Sequence, residues 1–144
     1  MDHAGRRPWI VAVILAGGLY FVVGIVSIRL AGAVVSNEMR SFWRLSAFVV
    51  SGVVFAAHLA YEHFRLRHTA RSTAWHASLA AALGGFALAL MANIHDLGSA
   101  TGYRRRMLVA LVVWPLLTGV PAFLLAFAVA AALGVKRRHE RNYG

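Results

Sequence analysis

The chain reads as an all-α integral membrane four-helix bundle with short loops, and three observations lead there. First, 60% of its 144 residues are hydrophobic and only 14% are charged, less charge than a soluble domain of this size carries. Second, four apolar runs each reach the ~20 residues that a helix needs to cross a hydrocarbon core of about 30 Å. Third, the charges fall in the short segments between those runs, the usual membrane topology signal.

The first run, Trp9 to Ile28, is uninterrupted; it leads into Arg29 and is extended by Leu30 to Val35. The second is Leu45 to Phe64, the third Ala74 to Ile94, and the fourth Met107 to Val135, which carries no charge. Backbone groups in lipid must be satisfied within the segment, so each run is a helix. The expected helices are 9–35, 45–64, 74–94 and 107–135, in one transmembrane domain spanning 1–144. The opening "MDHAGRRPW" with "AGA" at Ala31 to Ala33 has the outline of a signal peptide. Signal cores are shorter, however, and lack an arginine such as Arg29 before the cut, so the first run is read as a retained helix.

Four spans put the N-terminus, the loop from Arg65 to Arg71 and the C-terminal tail on one side. That side holds nine Arg and Lys residues against six on the other, which places both termini in the cytoplasm. Arginine outnumbers lysine fourteen to one, a bias of GC-rich bacterial genomes, and hence the expected location is a bacterial cytoplasmic (inner) membrane. The net charge of +10 is read as this topology signal, and no nucleic-acid partner is expected. "YRRR" at Tyr103 to Arg106 fits the charge scheme poorly. It is read as a solvated helix start, with Arg104, Arg105 and Arg106 the candidates for binding lipid head groups.

Small residues recur every four positions within the runs. The rows are Gly52, Ala56 and Ala60; Ala77, Ala81, Gly85 and Ala89, continued by Asn93; and Ala122, Ala126, Ala130 and Gly134. Helices in lipid gain little from hydrophobicity, so close approach through small residues joins them. The glycine pairs of "AGG" and "LGG" read as packing or flexibility. Pro115 and Pro121 predict tilt or a bend in the long fourth helix.

Polar residues gather in "FAAHLAYEHFRLRHTARSTAWH", from Phe55 to His76, which holds four of the seven histidines and Glu62. At ~100° per residue, Ser51, His58 and Glu62 share one stripe, and Gly52, Ala56, Ala60 and His63 lie roughly opposite. Three readings compete. In the first, Glu62, His63 and His68 sit at the head-group boundary and only His58 is inside. In the second, Ser51, His58 and Glu62 contact a protein partner. In the third, histidines bind haem b or a chlorin. His58 is the first candidate axial ligand, because a carboxylate one turn later can hold its ring; His76 and His63 are the others. His58 lies about 9 Å inside the end of its run and His76 about 3 Å, so these two are not level. His63 and His76 match better in depth. His95 sits at the far end.

Catalysis has little support. There is no cysteine, no nucleophile with a base at recognisable spacing, and no phosphate-cradling loop. No metal-ligand set is recognised either: in "HLAYEH", His58 and His63 are five apart and point to different faces. Small multidrug-resistance exporters have a similar length and helix count, but they depend on an acid within the first helix, where Trp9 to Ile28 has none. A proton-coupled transporter would have to use Glu62. The expectation is therefore a non-catalytic accessory subunit of a larger bioenergetic complex, respiratory or photosynthetic, surrounded by lipid and other membrane subunits. The alternatives are a haem- or chlorin-binding subunit and a small transporter.

Overall fold

The computed structural model describes the backbone of residues 8–95 and 104–143, and side chains over most of that range. Four helices follow one another: α1 (Pro8–Ala33), α2 (Asn37–Ala60), α3 (Ala70–His95) and α4 (Arg104–Tyr143). A π-helical turn, Tyr61–Arg65, continues α2. All four helices are long and apolar enough to cross a membrane. The all-α four-helix reading stands.

The boundaries differ where polar residues make good helix. The second helix begins eight residues before its greasy run. Ser36 is extended, at φ −70° and ψ 133°, and its carbonyl accepts the Arg40 N–H at 3.1 Å. Glu38 in the first turn suits the positive end of the helix dipole. At the far end of the chain, α4 runs beyond Val135 through the basic tail to Tyr143. Both prolines lie inside α4 and the helix continues through them. The Thr118 hydroxyl donates back to Trp114 O, one turn earlier, at 3.0 Å in that stretch.

Large side chains point outward and small ones inward. Leu15, Leu45, Phe48 and Val112 are exposed, whereas seven of the nine buried apolar residues described are alanines. Such a core gains from close backbone approach rather than from side-chain volume. The third helix is central, packing on α1 along one side and α4 along the other. Adjacent glycines serve the two contacts. A carbon added to Gly84 would stand 2.7 Å from Tyr20 Cβ and 3.2 Å from Gly17 O in α1. One added to Gly85 would stand 2.6 Å from Thr118 Oγ1 in α4. Two bonds tie α3 to α4: Ser78 donates to Gly119 O at 2.9 Å, and Thr118 to Ala81 O at 3.2 Å.

The small-residue rows of α3 and α4 face this contact, with Ala77, Gly85, Ala89, Ala126 and Ala130 buried. The row on α2 does not: Gly52, Ala56 and Ala60 are exposed. The second helix packs on α1 and reaches α3 and α4 only near its end, where Leu59 meets Ala74, Ala77 and Ala126 beside Phe55 and Phe123. Between α2 and α4 a groove of about 470 Å³ remains, floored by Gly84 and Gly85 and walled by Ser51, Gly52, Ala122 and Leu125.

Gly84→Ala should lower the thermal unfolding midpoint in detergent, by the equivalent of about 1–3 kcal/mol. Gly18→Ala should leave the midpoint unchanged or raise it, because its added carbon meets nothing within 4 Å. Circular dichroism melts of both variants test the assignment of Gly84 to the α1–α3 contact.

Candidate functional site

The polar stretch folds back on itself at one end of the bundle. The π turn at Tyr61–Arg65 widens the chain, and such turns inserted after an α-helix change which residues face inward. The consecutive Glu62 and His63 in this turn are both buried. The turn closes with Leu66 N–H on Tyr61 O and His68 N–H on Glu62 O, each at 3.3 Å. Arg67 between them is left-handed, at φ 52°. That reversal is the wide counterpart of a common helix C-terminal motif. Thr69 then caps α3, its hydroxyl accepting the Ser72 N–H at 3.3 Å. The linker between α2 and α3 is thereby so short that His68 lies over Glu62.

Glu62 has no exposed surface. Its Oε2 takes hydrogen bonds from two rings, His68 Nδ1 and His76 Nδ1, the latter at 2.9 Å. With Glu62 ionised, both Nδ1 atoms carry the proton and donate. The His76 ring lies flat against Trp9 at the start of α1, with centroids 4.4 Å apart and planes 3° from parallel. His68 meets His76 at 70°, with centroids 5.1 Å apart. Three helical elements and the linker thus meet at one carboxylate. Donor atoms of Glu62, His68 and His76 all lie within 4.8 Å of one another. This cluster could bind a metal ion or a haem.

The structure joins some expected site residues and separates others. Glu62 and His76, fourteen residues apart, are brought together. His58 is buried one turn before Glu62, with 6% of its surface exposed. His63 is buried with its ring edge-on to Phe64, centroids 5.1 Å apart. The stripe of Ser51, His58 and Glu62 does not form one outward face. His58 and Glu62 turn into the bundle because α2 rests on α3 there, while Ser51 opens to the groove farther up. The Arg104, Arg105 and Arg106 side chains and that of His95 lie outside the described residues. Among the described residues, no histidine lines the groove.

Sequence reasoning recognised no metal-ligand set and left His68 at the head-group boundary. A six-residue step from Glu62 to His68 has no meaning on a regular helix. The available signal was the cap: Thr69 followed by Ser72 marks a helix start at residue 70, which leaves His68 little room to go elsewhere.

Comparison with protein-family models, with curated proteins and with solved structures finds no match for this chain. Its own geometry carries the functional reading.

His76→Ala should destabilise the protein by about 1–3 kcal/mol, the usual cost of leaving a buried polar group short of a partner. Pairing it with Glu62→Leu should cost less than the sum of the single changes, because each single change leaves its partner in the Glu62–His76 bond unsatisfied and the double change removes both. Additive losses across this double-mutant cycle in thermal unfolding would show that the two groups are not coupled.

Proposed function

We propose that this chain is a small, non-catalytic membrane protein that holds one divalent transition-metal ion between the end of α2 and the start of α3. One observation carries the reading: a fully buried carboxylate gripped by two histidines, with all three donor atoms inside 4.8 Å. A buried carboxylate is costly unless paired. An ionisable residue in a membrane segment usually marks a working site. Imidazole donors favour zinc, copper, iron or nickel over magnesium or calcium. A single ion suits the cluster better than haem b or a chlorin, because its three donors lie within 4.8 Å of one another and the groove has no histidine among the described residues.

The arginine distribution supports a bacterial cytoplasmic membrane with both termini cytoplasmic. Trp9 touches the cluster, so this orientation puts the ion at the cytoplasmic end. A second reading makes the chain an accessory subunit of a larger bioenergetic complex. The groove between α2 and α4 favours it, because walls with Ser51, Gly52 and Ala122 admit close approach by a neighbouring helix.

Purified protein should retain or take up one Zn²⁺ per chain, measured by elemental analysis and calorimetry in detergent. Glu62→Ala and His76→Ala should each weaken uptake by at least about 10-fold. A wild-type protein that binds no Zn²⁺, Cu²⁺, Ni²⁺ or Fe²⁺ would sink the reading. Mild-detergent pull-down from native membranes tests the subunit reading; recovery of the chain alone, at every detergent tried, counts against it.

A further inference from the structure

We infer that His58 is a fourth donor to the ion, which makes the site a closed set of three histidines and one carboxylate for a zinc-class ion. The inference rests on the metal reading above and specifies its ligands. His58 precedes Glu62 by one helical turn, and ligands four residues apart on a helix can share one zinc ion. Both side chains are buried, at 6% and 0% exposure. Each also carries a buried polar atom with no hydrogen-bond partner, His58 Nε2 and Glu62 Oε1. Buried polar groups are nearly always satisfied, so these two atoms on adjacent turns, with Thr73 Oγ1 a further one at this end of the bundle, call for partners. A cation between them satisfies both, because each is a lone-pair donor once His58 is neutral.

Trp9 covers the His76 ring face to face, and the His68 ring abuts its edge. Loading requires a modest movement. The protons that His68 and His76 hold on Nδ1 must shift to Nε2 so that the Nδ1 lone pairs face the ion, and His76 Nδ1 and Glu62 Oε2, now 2.9 Å apart, must open to the about 3.3 Å that separates two donors on one tetrahedral zinc at 2.0–2.1 Å. His58 lies outside the set of donors within 4.8 Å of one another and joins it by turning about its own side-chain bonds. Four protein donors leave no position for water or substrate, the pattern of structural rather than catalytic zinc. The ion therefore acts as a clamp. It joins the last turn of α2, the linker and α3, where α2, packed on α1, otherwise has only a short apolar contact with α3 and α4.

Cobalt reports the coordination number. Wild-type protein titrated with Co²⁺ should bind one ion per chain and show the intense visible bands of a four-coordinate site. His58→Gln should bind at least about 10-fold more weakly, with bands that fade as water enters the shell. X-ray absorption of the Zn²⁺-loaded wild type should count three imidazoles, a measurement that does not depend on the variant folding. Two imidazoles, or a His58→Gln spectrum and affinity unchanged from wild type, would overturn His58 as a ligand and leave the metal reading intact. No Co²⁺ or Zn²⁺ bound by the wild type would overturn both.

Discussion

A carboxylate with no water around it must find partners, and the Glu62 end of the bundle is organised around that constraint. The wide turn at Tyr61–Arg65 carries Glu62 inward. The left-handed Arg67 reverses the chain, and Thr69 starts the next helix at once. Those local choices bring His68 back over the carboxylate and set His76 beside it. Trp9 from α1 then rests on His76, so the first helix is drawn into the same arrangement. A non-glycine residue in the left-handed region costs about 1–2 kcal/mol, and two hydrogen bonds to a buried anion can offset it.

Elsewhere the bundle is held by the opposite device, the absence of side chains. Gly84 and Gly85 point in directions about 100° apart on α3 and so admit α1 and α4 at close range. The same central helix therefore serves both neighbours, and α2 is left to pack on α1. The groove follows from that order. With Gly52, Ala56 and Ala60 facing outward, α2 has no close contact with α4 above Leu59. Its hold on the other helices is concentrated near the histidine cluster, where a clamp has most effect.

The sequence made the bundle legible because its signals are local. Runs of apolar residues declare helices, and alanine or glycine every fourth residue marks faces along which helices can approach closely. His58 and Glu62 were also visible as polar residues in an apolar stretch. His68 was not, because the step from Glu62 crosses a π turn and a chain reversal that no single period describes. Nor did the row on α2 behave as the rows on α3 and α4 did, since a small-residue row marks where a helix can pack without naming the neighbour.

By itself, then, the sequence determined that four apolar helices form and roughly where they start and stop, because hydrogen bonding in lipid permits little else. It also determined which residue types could carry chemistry: histidines and one acid, with no cysteine. Only the tertiary structure decided that Glu62, His68 and His76 meet, that His58 faces inward beside them, and that Ser51 opens to a groove. Those outcomes depend on where one turn widens and on which side of α3 each neighbour lies. They are fixed by contacts between residues far apart in the chain, and helical periodicity holds no information about them.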